Sequence, residues 1–177
     1  LTPLAANQHV EFTFTKDGSI FTAANIEKYD GFLFYTTGDL TKPGNDKTLP
    51  MTQEGKAAFL EAIRNGKGFV GTHSASDTFH SSASTVAPYI SMLGGEFIGH
   101  GSQQVATVTC ADPNFPGVSS LKEGLKINEE WYSLRNIASD LHVIFVQQTA
   151  GMPGWMYQRP PYPQTWAHPY GKGRVFY

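Results

Sequence analysis

The sequence predicts an α/β domain, and three observations carry the prediction. Short apolar runs alternate with amphipathic segments along the chain, the order expected where strands and helices take turns. Two of the runs, residues 31–36 (GFLFYT) and 67–72 (KGFVGT), are continuous and strand-sized, as in parallel strands covered on both faces. At 177 residues the chain has the length of one domain with a sizeable core, and no repeat, low-complexity tract or charge block divides it.

In chain order, residues 10–15 (VEFTFT) alternate apolar and polar and predict a half-buried strand ended by the Asp17-Gly18 turn. The run at 31–36 is the next strand. Thr52 is placed to cap a helix reaching about Asn65, with Phe59, Leu60 and Ile63 as its apolar stripe and Gly66 as its left-handed cap. Residues 67–72 predict the following strand. A second helix is expected over 84–93, on Val86, Ile90 and Leu93 at helical spacing, closed by Gly94-Gly95. Residues 105–110, 141–147 and 174–177 then predict strands. The proline-rich stretch 151–169 reads as a long structured loop, a kind that is often functional in compact domains.

Composition narrows the function classes. The 13 Lys and Arg against 15 Asp and Glu give a formal net charge of −2, without the basic clusters that mark a nucleic-acid binder. Charged residues make up 16% of the chain, against roughly 25% in an average soluble domain. With 12 Phe, 8 Tyr, 3 Trp and 18 Gly, the surface is expected to be rich in uncharged polar groups and rings. That suits a cleft for a neutral polar ligand such as a small carbohydrate. Cys110 is the only cysteine, so no internal disulfide forms. No apolar run approaches the ~18 residues of a membrane span, so no membrane insertion is expected. The chain opens on Leu1 rather than Met, and a preceding segment is expected to have been removed.

The candidate chemistry gathers at inferred strand ends. Residues 68–74 (GFVGTHS) run a buried strand into a Gly/Thr/His turn, where open α/β sheets place ligands. A nucleophile would sit on this turn in hydrolase-like folds, but here it offers His73. Cys110 lies on another strand, which excludes a Cys–His amidotransferase mechanism. Ser74 and Ser76 lack the G-x-S-x-G frame of a serine hydrolase, which leaves that option the weakest. His73, His80 and His100 fall within 28 positions, and His100 is flanked by glycines that let a ligand approach the backbone. Imidazole is both a common zinc ligand and the usual base near neutral pH. No H-x-x-x-H spacing is present, so a metal site would draw on separate loops. His9 and His142 lie in strand-like segments and read as structural. In residues 128–132 (NEEWY) an extended chain turns only one of the two carboxylates inward, and Glu130 is favoured by the aromatic pair after it. Residues 157–166 are stiff and aromatic, with Arg159, Gln164 and Trp166 able to bond or stack on a sugar; the alternative is a rigid loop packed on the core.

Taken together, these segments resemble the trehalose-utilisation (ThuA-like) family. The resemblance rests on Tyr29-Asp30-Gly31 and Thr37-Gly38-Asp39 around the first apolar run, then Asn65-Gly66-Lys67-Gly68 and Gly71-x-His73. It continues through Leu93-Gly94-Gly95-x-Phe97-x-x-His100, Glu129-Glu130-Trp131-Tyr132, Pro163-x-x-Trp166 and residues 171–177. It implies a flavodoxin-like three-layer sandwich with a mostly parallel sheet, in the class I glutamine amidotransferase-like superfamily but without the amidotransferase cysteine. It also implies a link to sugar metabolism, and a periplasmic or secreted location ahead of a cytoplasmic one. His73, His100 and Glu130 match the family's polar motif residues. By the family pattern the single domain, residues 1–177, is expected to lack a first strand before Leu1 and a Gly-His segment after Tyr177. Asp112-Pro113 stands where relatives often carry His-Pro.

The leading expectation is therefore a sugar-active hydrolase or lyase working on a glycoside or an oxidised (keto) sugar. His73, His100 and Glu130 would be its catalytic residues and the ligands of a divalent metal, zinc foremost. Trp166, Tyr132, Arg159 and Asp77 would hold the substrate. No nucleotide or flavin is expected, and an exposed edge strand is compatible with a homo-oligomer. The competing expectation is a non-catalytic carbohydrate-binding or scaffold domain of the same fold.

Overall fold

A computed structural model describes residues 9–177. The parallel part of its main sheet is built from the runs that read as buried strands. β1 (Gly31–Phe34) and β2 (Gly68–Gly71) pair in parallel, with Gly31 opposite Gly68 and Phe34 opposite Gly71. The helix between them, Gln53–Arg64, starts where Thr52 accepts a hydrogen bond from the Gly55 amide at 2.9 Å. It buries Phe59, Leu60 and Ile63, the stripe its 3.6-residue period predicts. A single turn, α1 (Ala23–Ile26), precedes β1, so this longer helix is α2. A third, α3 (Pro88–Leu93), ends at Gly94 in the left-handed region, φ 92°.

The rest of the chain is β-rich. β3 (Glu96–His100) pairs antiparallel with β6 (Tyr132–Arg135) in a separate two-stranded ribbon. β4 (Gln104–Cys110), β5 (Leu125–Glu129), β7 (His142–Gln148), β8 (Tyr162–Tyr170) and β9 (Gly173–Phe176) complete a seven-stranded sheet of order β1-β2-β9-β8-β7-β4-β5. Only β1–β2 and β2–β9 are parallel; every other pairing is antiparallel. The α/β class holds, but the sheet is mixed rather than mostly parallel.

The differences from expectation have local causes. Residues 10–15 form no strand: they have no ladder partner among the described residues, and Phe14 stays exposed. The second helix begins at Pro88 and not at Ser84, because the residue before a proline is pushed out of the helical region and Ala87 sits at ψ 140°. Residues 162–170, expected as loop, form the long central strand β8. Pro163 falls opposite an irregularity in β7, where the ladder is already interrupted, and Pro169 lies beside the β8–β9 turn. The edge position of β1 leaves Leu33 41% exposed, so this run is not covered on both faces.

Two apolar clusters fill the interior. One packs Phe34, Phe59, Phe69, Tyr89, Ile90 and Leu93 between the helices and the parallel strands. The other, around Trp131, Ile144, Phe145 and Tyr157, lies under the antiparallel strands. β9 serves both: Val175 belongs to the first, and Phe176 packs against the second.

Candidate functional site

The carboxyl ends of β1 and β2 lie side by side, and the segments that leave them are tied together. Thr72 N donates to Phe34 O at 3.0 Å, Gly38 N to Asp77 O at 2.8 Å and Phe79 N to Gly38 O at 3.0 Å. The hydroxyls of Thr36 and Thr78 meet at 2.8 Å. On this base a 3₁₀ turn, His73–Asp77, opens with His73 at φ 51°, a left-handed conformation that costs a non-glycine residue on the order of 1–3 kcal/mol. Tyr177 stabilises it by donating its hydroxyl to the His73 carbonyl at 2.7 Å, with Ser76 Oγ 2.8 Å from the same hydroxyl. Burial pushes the Tyr177 phenol up to about 12, which keeps that donor protonated.

The β3–β6 ribbon delivers the opposing groups. Its register places His100 opposite Tyr132. Glu130 sits in the two-residue link between β5 and β6, whose other member, Trp131, is buried and donates its indole N–H to Gln104 O at 2.7 Å. Anchoring Trp131 inward turns Glu130 toward the histidines. Glu130 Oε2 lies 3.4 Å from His73 Nε2 and 3.9 Å from His100 Nε2. The Tyr132 hydroxyl is 2.9 Å from His73 Nδ1, and its ring stacks on His100 and lies tilted against Phe97. Desolvation raises this phenol well above its ordinary value, with the carboxylates of Glu130 and Asp77 adding to it. Tyr132 is therefore a hydroxyl that donates, not a phenolate. His100 Nδ1 is 2.8 Å from Gly101 O, so that nitrogen carries the hydrogen and Nε2 faces Glu130. The side chains of His73, His100 and Glu130 are 37%, 38% and 28% exposed, open enough to meet a ligand.

The structure thus brings together His73, His100, Glu130 and Tyr132. Asp77 closes the same turn as His73, where its Oδ2 accepts from Thr37 Oγ1. Two expected substrate residues stand elsewhere. Trp166 is 0% exposed, with its indole N–H on Leu93 O at 2.8 Å and its ring against Tyr177, so it is core and cannot stack on a sugar. The Arg159 guanidinium lies 3.2 Å from the centre of the Tyr162 ring and donates to Gln147 Oε1 at 3.1 Å, where it lines a concavity of the 149–159 segment. The zinc expectation places its ligands on His73, His100 and Glu130. Among the described residues no group of three or more His, Cys, Asp or Glu side chains is arranged to hold a metal ion. The Tyr132 hydroxyl occupies one edge of His73, and Gly101 O takes one nitrogen of His100. Two concavities, one along residues 149–153 and 157–159 and the other along residues 105–107, Lys126, Gln148 and residues 150–152, are lined by no carboxylate or imidazole.

Sequence reasoning missed Tyr35 and Tyr177 and gave His80 no role. Tyr35 follows β1 directly and meets the His73 ring edge-on at 5.6 Å while remaining 70% exposed. Its position one residue past a parallel strand was the available signal. Tyr177 reaches His73 only through the pairing of β9 with β2, which no local pattern reveals.

A family model described as trehalose utilisation (ThuA) matches residues 1–177. Among solved structures, the chain is similar to a ThuA-like protein from Bacteroides uniformis, with TM-score 0.73 and 18% identity over 99% of this chain and 70% of that one. A ThuA-like protein from Parabacteroides merdae matches with TM-score 0.67 and 17% identity over 94% of this chain and 64% of that one. A cytoplasmic protein from Salmonella typhimurium LT2 matches with TM-score 0.66 and 13% identity over 99% and 72%. No match was found among curated proteins. At these identities the solved structures support the fold alone, and it is the full-length family match that identifies the chain as a member of the ThuA, trehalose-utilisation family.

Proposed function

We propose that this ThuA-family chain is a carbohydrate-active enzyme, a hydrolase or lyase that works on a glycoside or its oxidised (keto) form by acid–base catalysis. The observation that carries the reading is Glu130 standing between the Nε2 atoms of His73 and His100, with the Tyr132 hydroxyl on the other nitrogen of His73. A carboxylate paired with imidazole supplies a base that works near neutral pH. In a keto sugar that base removes the proton beside the carbonyl, and a neutral phenol donates to the oxygen where negative charge develops. In a plain glycoside the same base activates water. The low overall charge of the chain and the exposed Tyr35 ring at the site suit a neutral, polyhydroxylated ligand. The reading is built on the acid–base groups of the chain itself and routes no step through a metal ion.

The test is a panel of glycosides and their ring-ketone derivatives, with products followed by NMR. Wild-type protein is expected to release the aglycone from at least one member, and Glu130→Gln to slow that release roughly 100-fold or more. An unsaturated product marks a lyase and a water adduct marks a hydrolase. Sugar binding without any turnover would overturn the enzyme reading in favour of a carbohydrate-binding domain.

A further inference from the structure

A concavity of about 460 Å³, a volume within the range of small-molecule sites, has Thr149, Met152, Tyr157, Gln158 and Arg159 on its wall. Among the described residues no carboxylate lines it, and Arg159 is its one charged group. Every bond of that half-buried guanidinium goes to a neutral partner. Its Nη2 donates to Gln147 Oε1 at 3.1 Å and lies 3.5 Å from Tyr132 O, and its Nη1 donates to Pro160 O at 3.3 Å. The Tyr162 ring covers one face at 3.2 Å, and Nε is buried without a partner. Burial holds the pKa below its ordinary value, yet an arginine stays charged at neutral pH. The desolvation of this cation is therefore offset by no counter-charge. A neighbouring concavity of about 240 Å³ shares Ala150, Gly151 and Met152 with the first and has Lys126 on its wall, again with no carboxylate among the described residues. Cations of one sign along a shared turn draw anions to it. The amides of Gln158 in the first concavity and Gln148 in the second suit the hydroxyls of a polar ligand. Tyr157 links the wall to the acid–base site: its hydroxyl accepts from Gly101 N at 2.8 Å and donates to Trp131 O at 2.9 Å, beside His100 and Glu130 in sequence. His73, His100 and Glu130 themselves do not line the concavity.

We propose that the Arg159 concavity is a second binding site, separate from the acid–base site, for the carboxylate or phosphate of a small polyhydroxylated ligand. Arg159 supplies the positive charge, and the seated oxyanion supplies the counter-charge that its neutral partners lack. Charge-assisted bonds of this kind are the strong ones in a partly desolvated setting. The site stands on binding alone and does not depend on the enzyme reading.

The test follows the Arg159 Nε–H resonance of the full chain by ¹⁵N NMR, assigned by its loss in Arg159→Gln, as glucuronate, glucose 6-phosphate or glucose is added. At least one of the two acids is expected to move that resonance at concentrations about 10-fold or more below those glucose needs. The tighter acid identifies the oxyanion. Two further variants leave Arg159 and its partners in place. Gly151 lines both concavities, and a Cβ there meets nothing within 4 Å; its φ of 80° is a region that Asn and Asp enter more readily than other residues. Gly151→Asp, which adds a carboxylate to the wall, should weaken binding of the acid about 10-fold or more, while Gly151→Asn should leave it nearly unchanged. Acids that bind no better than glucose overturn the proposal, as does a Gly151→Asp variant that binds them like Gly151→Asn. Glu130→Gln, at the acid–base site, should keep the Arg159 response. Its loss in that variant would place the acid among the histidines and overturn the second site.

Discussion

Trp166 and Tyr132 are both large aromatic residues in segments that looked fit to hold a sugar, and burial separates their roles. Trp166, with its ring sealed against Tyr177 and its N–H on Leu93 O, contributes to stability. Trp166→Ala is expected to cost about 3–5 kcal/mol in denaturant unfolding while leaving sugar affinity of the folded protein unchanged. Lost affinity at unchanged stability would return Trp166 to the site. Tyr177 gives a pH prediction. Burial raises its phenol from 10.0 in the unfolded chain to about 12 in the fold, so the fold disfavours the phenolate. Its stabilisation is complete below about pH 10 and is lost as pH rises toward 12. Tyr132, Tyr89 and Tyr162 are shifted the same way. Thermal unfolding midpoints should fall steeply over that window, and Tyr177→Phe should make the fall shallower, removing up to about 2–3 kcal/mol of it.

At the scale of elements, local rules and packing part company at Gly55 in α2. Helix propensity alone makes Gly55→Ala stabilising by about 1 kcal/mol. A Cβ at that position, however, would stand 2.2 Å from the Phe21 carbonyl oxygen, which is backbone and cannot turn aside. The expected outcome is a net loss of about 1–3 kcal/mol, read as a lowered melting temperature. A variant that melts higher would mean that residues 18–26 do not dock on the helix as described. The same contrast explains what could be read from the sequence. Helix α2 and strand β2 were legible because a cap, an apolar stripe and a run of buried residues are written locally. β8 was not, because its place between β7 and β9 depends on partners far along the chain and its prolines look like loop. The ribbon of β3 and β6 was missed for the same reason: each strand is short, and their pairing is set by the fold.

Across the whole molecule, the sheet is mixed because the parallel half, β1-β2-β9, and the antiparallel half, β8-β7-β4-β5, meet at one hairpin. That junction puts Tyr177 under His73, while the β3–β6 ribbon carries His100 and Tyr132 to the same place. The site is thus assembled from the ends of two strand systems, and the identities of His73, His100, Glu130 and Tyr132 were legible where their contacts were not. Asp77 was legible as a candidate, but its link through His80 to buried Glu96 exists only in three dimensions. The central claim is that His73 and Glu130 act as one base. Its most direct test is kcat/KM on the best substrate of the panel for His73→Asn, Glu130→Gln and the double variant. Groups that act as a unit are not additive, so the double variant should be no slower than the slower single one. Losses that multiply in the double variant, or single variants as fast as wild type, would contradict the account.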